Sequence, residues 1–454
     1  MADKNTGRSA SPSHRTGRSN ASRGASSDNT ADSASVRKSS SAAAAGRNSS
    51  SHGVNSSGEG QTHKNRTSSS SGKRAVSRAK QARRRRRRRI RRLVCLILII
   101  VLLIGGYCYN RFRAYDSYKV TASLSITNGS EFIDIEEFGN GYVKITESGI
   151  TYFNKKGTIW AQTYSMTQPV YDICKGYIAV ADIKQSEIYI FDSDGLVNTF
   201  SSANSIIDIE VSKAGVVAVA TDDDEANYIE VYDRTGSAIV TARSVFESSG
   251  YLTDITLSTD GTKLAAAFIN VDLLDIVSRV VFYDFSQDDD EADVIVGGFN
   301  QYTDTILTNV EFLSGSRVVA VGDNAFTVYD FSGTPEIIYE DLEYDNTIRS
   351  VFFSEKYFGF IIDDSTGAYN YIYQIYDRSG EIRAQAGFDF SYTDVRFYAK
   401  SVMLTSANAC HIYTFNGLER FSCAFEENII TMCPVGYASL IWAASDETYF
   451  IRMK

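Results

Sequence analysis

Few residues of this chain are equipped for catalysis. It has four histidines, at 14, 52, 63 and 411, and the first three lie in a stretch almost devoid of large apolar side chains. A Ser-His-Asp relay would have to use His411. The run "ACHIYTF" sets that residue inside a strand-like segment, where a packed histidine is the simpler reading. Zinc needs several Cys or His at close spacing, and the six cysteines, at 95, 108, 174, 410, 423 and 433, are scattered. Carboxylates cluster at "TDDDEAN" (221–227), "SQDDDEAD" (286–293) and "IDDSTG" (362–367). None alternates ligands about a central Gly as a calcium loop does, and solvated turns account for them. A carboxylate pair for glycoside cleavage would require a particular spatial separation, which leaves a glycan-cleaving enzyme as the alternative to a non-catalytic protein. No cofactor or metal is expected.

One polar pattern recurs. "YLTD" (251–254), "YTDT" (302–305), "YDNT" (344–347) and "YTDV" (392–395) each precede an apolar run. They nominate Tyr251, Asp254, Tyr302, Asp304, Tyr344, Asp345, Tyr392 and Asp394 as a binding rim. Aromatic faces and hydrogen-bonding acids suit sugars or basic peptide groups. The bland alternative is that each Tyr-Asp pair locks its own structural unit.

What positions these residues is a repeat. "VYDRTG" (231–236) returns as "IYDRSG" (375–380). Tyr and Val form strands, Asp bonds its own turn backbone, and Gly supplies positive φ, so the motif reads as a hairpin corner. Further corners are "FNKKG" (153–157), "FDSDG" (191–195), "YDFSQ" (283–287), "YDFSG" (329–333) and "YTFNG" (413–417). Their last positions lie 38, 41, 51, 46, 47 and 37 residues apart, the period of roughly 40–50 residues expected of a four-stranded propeller blade. Intervening runs such as "VVAVATD" and "RVVAVGD" are too short for helical repeats.

Each unit opens on an inner strand: "FIDIEEF", "VYDICKG", "IIDIEVS", "LTDITLS", "ILTNVEF", "IRSVFFS", "TDVRFYA" and "IITMCPV". That makes eight inner strands against seven corners. The last unit supplies three strands, and "YKVTASLSI" (118–126) has no other blade to join. Pairing the termini would close the ring and remove its open edges. The fold class is therefore all-β, an eight-bladed β-propeller over 118–454, with seven blades as the alternative. In its last corner Cys410 and Cys423 flank Asn416-Gly417. A two-residue turn would set them opposite each other in a non-hydrogen-bonded pair, a possible disulfide. A three-residue loop with a Gly bulge, as at the other corners, would turn them to opposite faces and leave two free thiols.

The N-terminal part is different in kind. Residues 1–92 hold 23 Lys/Arg against 4 Asp/Glu, and the remaining 362 residues 23 against 51. The tail (1–82) is too poor in apolar residues to offset chain entropy and reads as disordered. Nine arginines between Arg83 and Arg92 precede "LVCLILIIVLLIGGYCY". Leu93 to Tyr109 would span roughly 25 Å as a helix, with Tyr107 and Tyr109 at the far interface. Residues 110–117 form a short linker. The arginines hold the N-terminus in the cytoplasm and put the C-terminal domain outside. Beside a membrane span they suit anionic headgroups better than nucleic acid, since no interleaved aromatic offers a stacking platform. A cleaved signal peptide fits poorly after a 92-residue charged region.

The repeated corners and the single apolar span resemble uncharacterised bacterial single-span membrane proteins ending in a WD40-like or quinoprotein-like propeller. The Gly-His and Trp-Asp signatures of true WD40 repeats are missing, and only Trp160 and Trp442 are present. The resemblance implies fold, and a binding or assembly module of the cell envelope with a protein or glycan ligand.

Overall fold

The computed structural model describes residues 90–454 apart from 108, 110–112, 127–130, 273–274, 287–293, 314 and 345. The tail and Arg83 to Arg89 thus lie outside the described residues. Two compact units are distinguished, dividing between Arg113 and Ala114. In the first, Ile90–Tyr107 form one helix, long and apolar enough to cross a membrane, with every described side chain exposed. It starts before Leu93 because arginine is itself a good helix former.

The second unit consists of eight four-stranded antiparallel sheets. Each is a meander of strands A to D, so A–B turns and C–D corners share one end while B–C turns and D–A loops share the other. Blades 1 to 7 occupy 132–163, 169–201, 205–245, 251–303, 307–341, 348–388 and 394–424. Blade 8 combines Thr431–Pro434, Ser439–Ala443 and Thr448–Met453 with Tyr118–Leu124. The N-terminal strand pairs Tyr118 with Met453 and Leu124 with Thr448, so the two ends of the domain close the ring. Tyr118 also stacks on Phe425, in the loop that follows blade 7, with ring centroids 4.7 Å apart.

The corners follow their turn chemistry. Asp233 Oδ1 accepts the backbone N–H of Thr235 at 2.8 Å and of Ser237 at 3.0 Å, and Gly236 takes φ +81°. Asp377 repeats this with the N–H of Ser379 at 2.9 Å, and Gly380 has φ +78°. A bulge follows in the paired strands, between Val231 and Tyr232 and between Ile375 and Tyr376. The last corner has the expected three-residue loop, Gly417 donating to the Thr414 carbonyl at 2.8 Å. Its bulge between Ile412 and Tyr413 adds back the residue the loop removed, so Cys410 and Cys423 are direct partners rather than on opposite faces. Phe425 donates to the Asn408 carbonyl, which makes this the hydrogen-bonded kind of pair, not the non-hydrogen-bonded kind. Cys410 is buried, Cys423 half-buried, and both are free thiols in this structure.

The core is a series of apolar layers between successive blades. Second strands are buried on both faces, as in Val217–Asp222 and Ser401–Thr405, while inner strands are mixed, as in Ile348–Phe353. Burial on both faces explains why the second-strand runs do not alternate. Outer strands alternate exposed and half-buried residues, as in Gly157–Thr163.

Candidate functional site: a charged clasp among the inner strands

The inner strands share a polar position. Asp134, Asp172, Asp208 and Asp254 hold it in blades 1 to 4, Asn309 and Ser350 in blades 5 and 6, Asp394 and Thr431 in blades 7 and 8. In blades 1, 3, 4, 5 and 6 a bulge immediately precedes it, as between Leu252 and Asp254. A bulge re-aims the next side chain without breaking the sheet. These side chains stitch neighbouring blades. Asp172 Oδ2 accepts the N–H of Val211 at 2.8 Å, and Asp254 Oδ2 that of Val310 at 2.7 Å. Two residues further along, Glu210 and Thr256 accept the N–H of Leu257 and Phe312 from the next blade.

Where blades 7, 8, 1 and 2 meet, the ring carries a buried cation. Arg396 donates from Nε to Asp394 at 2.8 Å, from Nη1 to Glu136 at 2.8 Å and from Nη2 to Asp134 at 2.6 Å. Nη2 also reaches Thr431 Oγ1 at 3.3 Å, and Thr431 donates to Asp134 at 3.0 Å. Tyr171 of blade 2 donates to Asp134 Oδ2 at 3.2 Å. The Arg396 side chain is 11% exposed, those of Asp134 and Glu136 less. Burial works against the guanidinium charge, but Asp134, Asp394 and Glu136 more than offset this and hold it well above its ordinary value. Burial is also the main influence on Glu136. With Asp134 and Asp394 adding to it against Arg396, the carboxyl is pushed up to about 8. The site therefore favours the protonated form of Glu136 more than water does.

With its donors committed to four partners on three blades, Arg396 has little left for an anionic substrate. The cluster can fasten the ring and hold a proton. Among the described residues no group of three or more His, Cys, Asp or Glu is placed to bind a metal ion. His411 bonds Glu419 through Nδ1 at 2.7 Å and packs on Phe390.

The residues nominated from the Tyr-Asp pattern are dispersed. Tyr251 is 57% exposed and stacks on Phe246, with ring centroids 4.8 Å apart. Asp254 belongs to the inner ring. Tyr302 is 1% exposed and its hydroxyl bonds that of Tyr329 in the next blade. Tyr344 donates to Gln374 of blade 6, and Tyr392 bonds Ser350 Oγ at 2.7 Å. Asp304 is exposed with φ +55°, Asp394 is an Arg396 partner, and Asp345 lies outside the described residues. Three of the four tyrosines thus spend their hydroxyls on protein partners. Sequence reasoning missed Arg396, Glu136 and Asp134. The signal was available in the Asp-Ile dipeptide at the same place in "FIDIEEF", "VYDICKG", "IIDIEVS" and "LTDITLS".

Fold and inner ring together define an eight-bladed β-propeller with a polar axis. The chain belongs to the family of unknown function DUF5711, matched over residues 111–453. No curated protein matches the sequence. Among solved structures it is similar to Sqt1 from Saccharomyces cerevisiae, at 10% identity and a TM-score of 0.49 over 74% of this chain and 98% of that one. It is also similar to BamB from Moraxella catarrhalis, at 10% identity and a TM-score of 0.46, covering 74% of this chain and all of the other.

Proposed function

We propose that this chain is a single-pass membrane protein displaying a non-catalytic propeller outside the cell, where the propeller binds a cationic segment of an envelope protein. The observation that carries this reading is the charge of the B–C and D–A end. Asp223, Asp224 and Glu225 stand exposed in one turn, Asp363 at the end of the strand Tyr357–Asp363, and Glu426 and Glu427 in the last D–A loop. Against these acids stand Arg243, paired with Glu225, Arg349, paired with Asp363, and the exposed Lys184. Such a field attracts and orients a basic partner. Tyr251 and Asp304 lie at the same end and supply the aromatic and acidic groups first nominated for a ligand. A neutral glycan, cleaved or merely bound, is the competing ligand, and it would be indifferent to this charge.

The test is site-specific photocrosslinking in intact cells. A crosslinker at Asp224 or Glu426 should capture a basic protein, in a yield that falls with added salt. The same probe at Ser193 or Ser379, at the corner end, should not capture it. Equal capture from both ends, or capture insensitive to salt, would contradict the assignment.

A further inference from the structure

Two cysteines meet across a ladder. In blade 7 the strands Ala409–Thr414 and Glu419–Ala424 set Cys410 directly opposite Cys423. In a hydrogen-bonded pair the Cα atoms stand about 5.5 Å apart, inside the range of roughly 4.4–6.8 Å that a disulfide spans. Residues directly opposite in an antiparallel pair project from the same face, and both sulfurs belong to one apolar layer between blades 7 and 8. Cys410 is fully buried in that layer and Cys423 is half-buried at its margin. Burial pushes the Cys410 thiol up, and the neighbouring Cys423 adds to the push. Cys95, Cys174 and Cys433 lie elsewhere: on the helix, in the layer between blades 2 and 3, and in that between blades 8 and 1.

The strand that carries Cys423 also receives the incoming chain. Tyr115 donates its backbone N–H to the Arg420 carbonyl at 2.8 Å, and its own carbonyl accepts the N–H of Ser422 at 3.2 Å. This is a short parallel bridge to the outer edge of blade 7, and Tyr115 is itself buried in the layer that holds the two cysteines. Three residues on, Tyr118 already pairs with Met453 of blade 8. Glu419–Ala424 is thus both the edge of its own blade and an anchor for the segment that closes the ring. Edge strands are among the first elements to open locally.

We propose that Cys410 and Cys423 are a dithiol site, converted by exchange with a low-molecular-weight disulfide into a cross-strand bridge that staples the outer strand of blade 7 at the closing seam. Cys423, the more accessible, attacks one sulfur of the reagent as a thiolate, forming a mixed disulfide and expelling one reagent thiolate. The Cys410 sulfur then gives up its proton and attacks Cys423, expelling the second reagent thiolate and forming the S–S bond between the strands. The two thiols lose two electrons, the reagent gains them, and both protons end on the released thiols. Burial, with the Asp116 carboxylate adding to it, holds the Cys423 thiol above its ordinary value, so the exchange accelerates as pH rises. Nothing in this chemistry depends on which side of a membrane the propeller occupies.

The test treats the full detergent-solubilised chain with oxidised glutathione at mildly alkaline pH, alkylates the remaining thiols in denaturant, and digests without reduction. Cleavage after Glu419 and Glu426 puts Cys410 and Cys423 on separate peptides. Most chains should yield those two peptides joined, with Cys174 and Cys433 alkylated. In Cys410→Ala the Cys423 sulfur should instead retain glutathione, whereas in Cys423→Ala the buried Cys410 should stay reduced. Hydrogen exchange over residues 420–425 should be about threefold or more slower in the bridged chain. A parent chain in which Cys423 carries glutathione beside a free Cys410 would overturn the proposal, since the two sulfurs would then not reach each other. A bridge from either cysteine to Cys433, or a Cys423 that stays reduced throughout, would overturn it as well. Unchanged exchange in a bridged chain would refute the stapling of the outer strand. The products of the parent chain decide the matter even where a variant loses its fold.

Discussion

Replacing Arg396 by Met is the sharpest perturbation of the inner ring. The change keeps an unbranched apolar stem but removes the cation that faces Asp134, Glu136 and Asp394. The buried carboxyl cluster is then left without the guanidinium that bridges its three members. Removing one partner of a buried ion cluster costs about 3–5 kcal/mol, far more than deleting an exposed pair. Unfolding a domain of this size has an entropy of roughly 0.7 kcal/mol/K, so the melting temperature should fall by about 4–7 °C. The assay is thermal unfolding of the detergent-solubilised chain at pH 7. A variant melting within about 1 °C of the parent would refute the reasoning. That result would make Arg396 a replaceable side chain rather than a clasp.

Glu136→Gln reports on the same cluster with the opposite sign. Its folded pKa lies above the unfolded one, so its contribution to stability is fully present below the unfolded value, near 4.5, and is lost as pH rises through about 8. The Gln variant should match the parent in mild acid and melt higher than it at pH 9, whereas a constant deficit at every pH would mean that Glu136 is ionised in the native state. Deleting residues 118–124 strips the outer strand from blade 8 and bares the edge of Thr448–Met453. The truncated chain should aggregate in size-exclusion chromatography, and a stable monomer would contradict closure by that strand. The double variant Tyr302→Phe, Tyr392→Phe loses bonds to Tyr329 and Ser350, each worth about 1 kcal/mol. Its melting point should drop by about 2–4 °C, while unchanged melting would return those hydroxyls to a ligand-binding role.

The blades were legible in the sequence because their corners obey local rules. An Asp that bonds its own turn and a Gly at positive φ leave the same letters at every repeat, whatever surrounds them. Ring closure was legible by subtraction, since three strands at one terminus and an orphan strand at the other complete one sheet. The cysteine register was half legible. The three-residue loop with its bulge could be anticipated by analogy with its sisters, but not that the bulge restores the register and keeps Cys410 opposite Cys423. The Tyr-Asp pattern misdirected for a physical reason. A repeat puts like residues in like places, and Tyr302, Tyr344 and Tyr392 repeat because each fills the seam between adjacent blades. Periodicity alone cannot tell a seam from a rim. Arg396 was invisible for the converse reason, since it occurs once and meets residues about 260 positions away.

The proposed partner rests on the propeller being held outside the membrane by the helix Ile90–Tyr107. The most direct test is protease added to intact, wall-stripped cells, with antibodies against the N-terminal tail and against the propeller. Loss of the propeller signal while a membrane-protected tail fragment persists is the predicted result. A propeller degraded only after the membrane is permeabilised, or a tail digested together with it, would contradict the account.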